Sequence, residues 1–271
     1  MIKRCITGAA LIAVVTGFFL LRTIDIAFFE AFLCFLMVLG VFEMTRATGN
    51  RIRAAHKYSA WAFALAVAPI FHFFGASGIC YLFLAFALTD LILLVFLNAE
   101  VESFAYALAA KVYPTLFIAC LLVLNAMEYN STLALLMAFV IPSCADTFAY
   151  LVGVTFKGKK LCPSISPNKT ISGGIGGLLG GAIGTVVLYL IFKDSFVYSG
   201  AVPPIALFII VGIITAFLTA VGDLAESVIK RKFGIKDMGK LLPGHGGILD
   251  RIDGVMFAAA FLTFVYTLFI S

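Results

Sequence analysis

Runs of about 18 or more consecutive apolar residues recur from one end of this 271-residue chain to the other, and each is long enough to cross the hydrocarbon core of a bilayer as a helix. About nine such spans can be drawn, over residues 5–21, 25–43, 58–75, 79–97, 104–125, 132–154, 174–192, 203–222 and 253–270. In a medium without water a helix satisfies its own backbone within one segment. The expected fold class is therefore all-α: a polytopic membrane protein of about nine transmembrane helices. With 63% hydrophobic and only 12% charged residues, nothing is left over for a soluble catalytic module, so chemistry has to sit in loops and helix ends. The expected organisation is a transmembrane region of about five helices over 1–125, followed by a catalytic region of about four helices over 126–271.

Charge sets the expected orientation. If the amino terminus is cytoplasmic, the inside segments hold Lys3, Arg4, Arg46, Arg51, Arg53, Lys57, Lys157, Lys159, Lys160, Lys169, Lys230, Arg231, Lys232, Lys236, Lys240 and Arg251, sixteen of the nineteen basic residues. The outside segments hold only Arg22 and Lys193, and Lys111 falls inside a span. That asymmetry selects a multi-pass protein of the cell (inner) membrane with a cytoplasmic amino terminus and active site. It also accounts for the net charge of +5, since the basic residues follow topology and form no aromatic-interleaved stripe for nucleic acid. The first 21 residues read as a retained signal anchor, because no cleavage site leads into a polar mature chain. Within the spans, Asp90 and Lys111 should meet as a structural ion pair, since helices joined by a short turn near 98–103 run antiparallel and bring the two to similar depth.

Several motifs have bland explanations. The six scattered cysteines read as packing residues. The glycines at 173, 174, 176, 177, 180, 181 and 184 read as a small-residue face for close helix packing. GVTFKGKK at 153–160 nearly matches a P-loop, but Lys160 replaces the hydroxyl residue and a membrane helix stands where a strand is needed.

Two segments are too long and polar to be connectors, 156–172 and 223–253. The second reads GDLAESVIKRKFGIKDMGKLLPGHGGILDRID from Gly222. If the eighth helix continues past Gly222, then Asp223, Glu226, Ser227 and Lys230 share one face. Magnesium in nucleotide enzymes takes one or two carboxylates together with substrate phosphates, so Asp223 with a second aspartate makes a metal site. Asp250 and Asp253 are alternatively a helix N-terminal cap. His245 lies in a glycine loop whose amides can approach an anion.

The pattern SxxKRxxxxKDxGxxLPGHGGxxDRxD from Ser227 to Asp253 resembles the signature of the phosphatidate cytidylyltransferase family at every fixed position. Asp146 to Tyr150, then Ile165 to Thr170 and Gly173, are similar to its upstream DxxAY and ISPxKTxxG. Here Ile171 and Ser172 stand where tryptophan and glutamate are frequent, and Val154 where a basic residue often stands.

The resemblance implies that phosphatidic acid attacks the α-phosphorus of CTP, giving CDP-diacylglycerol and pyrophosphate. It implies a divalent cation, Mg2+, with room for a second, on Asp223, Asp250 and Asp253. Asp223, Asp250, Lys230, Arg231 and His245 are the expected catalytic residues. Ser166, Lys169, Ser227, Lys236, Asp237, Arg251 and Asp146 are the expected substrate contacts. Expected partners are CTP, phosphatidic acid and the bilayer, with no nucleic acid and with a homodimer left open. The alternatives are a CTP-dependent polyprenol or phytol kinase, which would release CDP, and a transporter, against which the polar residues gather on one membrane face.

Overall fold

The structure, a computed structural model, describes residues 2–270 apart from His245. The chain is overwhelmingly helical: α1 (Ile2–Arg22), α2 (Ile26–Ala47), α3 (Ala54–Phe96), α4 (Val101–Ala110), α5 (Phe117–Asn125), α6 (Ser131–Phe156), α7 (Ile171–Phe192), α8 (Pro204–Lys232) and α9 (Leu249–Val265). A two-stranded antiparallel hairpin, β1 (Lys160–Cys162) and β2 (Ser166–Thr170), precedes α7. Among the described residues, seven helical segments are long and apolar enough to cross a membrane, and α1 carries a shorter apolar stretch, Ile6–Arg22. This is an all-α polytopic membrane protein.

The difference between seven and the nine expected spans lies partly in α1 and partly in α3. At 43 residues α3 carries the third and fourth spans, and its backbone leaves helical geometry at Gly75 (φ 64°, ψ −159°), a region open essentially to glycine alone. The Phe63 ring packs on those of Phe83 and Phe86 at 5.9 and 5.6 Å between centroids. A straight helix would hold Phe63 and Phe83 about 30 Å apart. The chain therefore doubles back at Gly75, and the two arms of α3 are the two expected spans folded into a hairpin.

The chain forms two compact units. The first comprises residues 1–125 and 233–251. Its core is built by α2 against α3 and α5, around fully buried Phe29, Leu33, Met37, Phe63 and Leu122. The expected span at 104–125 is here α4 and α5 joined by a wider π-type turn over Lys111–Leu116 that contains Pro114. Proline has no N–H to give to a regular helical ladder, and one wide turn absorbs the fault. The turn begins at Lys111, whose ammonium pairs with the Asp90 carboxylate, both side chains being fully buried. Beside the pair, His56 Nε2 donates to the Asp90 carbonyl (3.2 Å) and Nδ1 accepts from Ser103 (2.9 Å), which ties the second arm of α3 to the first and to α4.

The second unit comprises residues 126–232 and 252–271. Here the glycines of α7 do what their spacing predicts: a Cβ at Gly180 would lie 2.7 Å from the Cys144 carbonyl of α6, and one at Gly181 would lie 2.6 Å from the Gly212 carbonyl of α8. With nothing larger than hydrogen at these positions, α7 touches backbone on two sides. The polar stretch 223–253, expected whole in the catalytic half, divides between the units, with 233–251 belonging to the first.

The buried pair yields a direct test. Asp90→Leu or Lys111→Met alone leaves an uncompensated charge and should cost about 3–5 kcal/mol. The double substitution should recover much of the loss. Thermal unfolding of the three variants in detergent measures this, and a double variant no more stable than either single one would refute it.

Candidate active site

The second unit gathers carboxylates at the far end of α8. The helix runs on past Gly222 to Lys232, so Asp223, Glu226, Ser227 and Lys230 lie on consecutive turns of one face. Asp253, near the start of α9, completes a group: carboxylate oxygens of Asp223, Glu226 and Asp253 all lie within 4.8 Å of one another. Gly222 allows the approach, since a Cβ there would meet the Phe257 ring at 2.6 Å and the Asp253 carbonyl at 3.0 Å.

Cations answer this cluster on two sides. Lys230 pairs with Glu226 at 2.8 Å, one turn along the helix. Lys169, delivered by β2, pairs with Asp223. The hairpin is anchored for this: Thr170 accepts from the Gly173 amide at 3.1 Å as the N-cap of α7, the Ile171 amide donates to the Lys159 carbonyl at 3.0 Å, and Ser172 donates to the Lys157 carbonyl. Asp146, exposed on α6, is close enough to act on the charge of Asp253. Three clustered carboxylates face two ammonium groups, and the oxygen-only donor set with residual negative charge suits a hard divalent cation such as Mg2+. Among the described residues this is the one cluster of three or more such ligand residues close enough to share an ion.

The first unit contributes a cationic cavity built by the loop after α8. It measures about 630 Å3 and is lined by Lys236, Asp237, Lys240 and Arg251 together with Gly239, Leu242, Pro243, Gly244 and Gly246. Three cations against one carboxylate suit an anionic ligand, and the size is within the usual range for small-molecule pockets. The loop is drawn tight by Asp250, which accepts from the amides of Met238 (2.9 Å) and Gly247 (2.8 Å), and by a bond from the Leu242 amide to the Gly246 carbonyl (2.9 Å).

Comparison with known proteins bears on this arrangement. The model of the cytidylyltransferase family matches residues 2–269. The chain belongs to that family. Its matches include proteins named phosphatidate cytidylyltransferase from Staphylococcus saprophyticus (44% identical over 47% of this chain and 46% of the relative), Haemophilus influenzae (38%, over 51% and 47%) and Rickettsia prowazekii (42%, over 51% and 60%). The aligned part thus spans about half the length of the curated relatives.

Within this cytidylyltransferase fold the sequence-predicted residues fall into two groups. Asp223, Asp253, Lys169 and Lys230 come together in the second unit, with Asp146 near Asp253. Lys236, Asp237 and Arg251 come together in the first. Ser227 is half-buried on α8 and Ser166 half-buried on β2, while Arg231 is exposed at the end of α8. Asp250, expected as a metal ligand, gives one carboxylate oxygen to two loop amides. His245 lies outside the described residues.

Residues not assigned from the sequence are Glu226, Lys240 and Glu43. Glu226 carried a signal in its position one turn from Asp223. Glu43, discussed below, had only its presence as a carboxylate near the end of an apolar span.

Because Gly222 sets the separation of α8 and α9, Gly222→Val should overpack this contact and lower stability by about 1–3 kcal/mol. Gly174→Ala, in α7 with open space around it, should leave thermal unfolding unchanged or raise it slightly. Equal behaviour of the two variants in a melting experiment would contradict the role given to Gly222.

Proposed function

We propose that this protein transfers the cytidylyl group of CTP to phosphatidic acid, forming CDP-diacylglycerol and releasing pyrophosphate. The observation that carries the reading is the cationic cavity formed by the family signature segment itself, with Lys236, Lys240 and Arg251 in its lining. The names of the relatives point the same way.

In this reaction a phosphate oxygen of the lipid forms a bond to the α-phosphorus of CTP as the bond from that phosphorus to the bridging oxygen of pyrophosphate breaks. Little covalent help is needed, and the protein's work is positioning and charge neutralisation. Lys236, Lys240 and Arg251 hold the triphosphate and meet the charge that accumulates on departing pyrophosphate. Arg251 suits this because its planar fork can take two phosphate oxygens at once. Lys169 and Lys230 keep the carboxylates of the second unit compensated and available, and Arg231, Ser166, Ser227, Asp237 and His245 are further substrate contacts.

Asp223 and Asp253, with Glu226, are the residues that would hold Mg2+, and the resemblance adds Asp250, whose position is fixed by its two amide bonds. When bound, the cation supplies neutralisation of phosphate charge. The concentration of basic residues at one set of helix ends supports a cytoplasmic site in the cell membrane, open to CTP from water and to phosphatidic acid from the lipid side.

Purified protein in detergent, given CTP, Mg2+ and phosphatidic acid, is expected to release pyrophosphate. Release of CDP instead would identify a lipid kinase and reject the proposal. Asp223→Asn and Asp253→Asn should each reduce turnover to background while the variants still insert and melt near the parent temperature. Ordinary turnover in both would remove the cation from these residues. A reporter fused after Lys240 should register a cytoplasmic location, and an exterior signal would overturn the proposed sidedness.

A further inference from the structure

Glu43 is 1% exposed near the end of α2, a helix otherwise almost wholly apolar. A carboxylate in such a setting is costly unless its oxygens are met by donors. Here they are met by backbone: Oε1 accepts from the Ile248 amide at 3.0 Å and Oε2 from the Leu249 amide at 2.9 Å. These amides stand at the very start of α9, where helical N–H groups have no partner of their own and negative charge is favoured. The same carboxylate fills the space beside two signature glycines. A Cβ on Gly247 would lie 2.5 Å from both Glu43 oxygens, and one on Gly239 would collide with Oε1. Residues 239 and 247 are thus glycine because the carboxylate of a residue some two hundred positions earlier occupies the place of their side chains.

We infer that Glu43 is a positioning residue that clamps the signature loop so that Lys240 and Arg251 present their charges to the triphosphate. The loop is pinned at both ends. Asp250 joins 238 to 247, Glu43 holds 248 and 249 while packing on 239 and 247, and between them Lys240, Leu242, Pro243, Gly244 and Gly246 line the cavity. Upstream, Phe233 is held between Arg51, whose guanidinium lies 5.6 Å from the ring centre, and the Tyr106 ring at 5.6 Å. The first half of the chain therefore supplies the mould for the loop as well as membrane anchorage. This inference rests on the reading of the cavity as the CTP site.

Two measurements on the full-length protein test it. Hydrogen exchange reports the Ile248 and Leu249 amides directly, and CTP binding in the absence of phosphatidic acid reports the cavity without requiring turnover. Glu43→Ala should accelerate exchange at both amides and weaken CTP binding, with loss of about 100-fold in kcat/KM for CTP, the scale of a 1 Å misplacement, while KM for phosphatidic acid stays unchanged. Glu43→Gln keeps the shape and one acceptor and should fall between parent and Glu43→Ala. Gly247→Ala should mimic Glu43→Ala, and Glu43→Asp, by withdrawing the carboxylate, should restore part of the binding when combined with Gly247→Ala. Unchanged exchange in Glu43→Ala would overturn the clamp. Accelerated exchange with unaltered CTP affinity would overturn its positioning role. A parent protein that binds CTP but releases no pyrophosphate would reject the proposed function and leave the clamp standing.

Discussion

Inside a bilayer no water is available to complete a polar group, so every charge carried into the apolar spans must be answered by another part of the chain. The first unit shows this repeatedly. Lys111 meets Asp90 in full burial, His72 meets Glu30 at 2.8 Å, and Arg22 Nε donates to Asn125 Oδ1 at 2.5 Å. Each pairing joins residues distant in the chain, so the same interactions that make charge tolerable also fix which helix lies beside which. Glu43 obeys the rule with backbone amides in place of a cation, and thereby extends it from helix packing to loop geometry.

The two units answer charge in opposite ways. In the first, the signature loop leaves cations in excess around a cavity; in the second, α8 and α9 leave carboxylates in excess around a small cluster. One sequence segment feeds both, with Arg251 in the first and Asp253 in the second only two residues apart.

Much of the helical framework is legible in the residue order, because apolar run length and the bilayer thickness are directly related. The Asp90–Lys111 pair is legible too, since a short turn and helical rise put both at one depth. So is the packing face of α7, where glycine spacing matches helical period. The wide turn at Pro114 is less so, because proline in a span can be absorbed by a kink, a break or a wider turn, and neighbouring helices decide among them. Residue type alone does not distinguish an aspartate that holds a metal from one that gathers loop amides, so Asp250 and Asp253 read alike until their surroundings are known. Glu43 was invisible for a different reason: its partners lie about two hundred residues away, and no local pattern marks a carboxylate that serves backbone.

The backbone contacts of α7 divide its surface sharply. One side is glycine seated against α6 and α8, while Ile175, Leu179, Ile183, Val187 and Leu190 are exposed on the other. Those outward residues can change in bulk or length to match a thicker, thinner or more ordered bilayer without altering the spacing of α6, α7 and α8 beneath them. Adaptation of such a protein to a new lipid composition or growth temperature can therefore proceed on the outer face of α7 alone, uncoupled from the hairpin that it holds and from Lys169 at the hairpin's end.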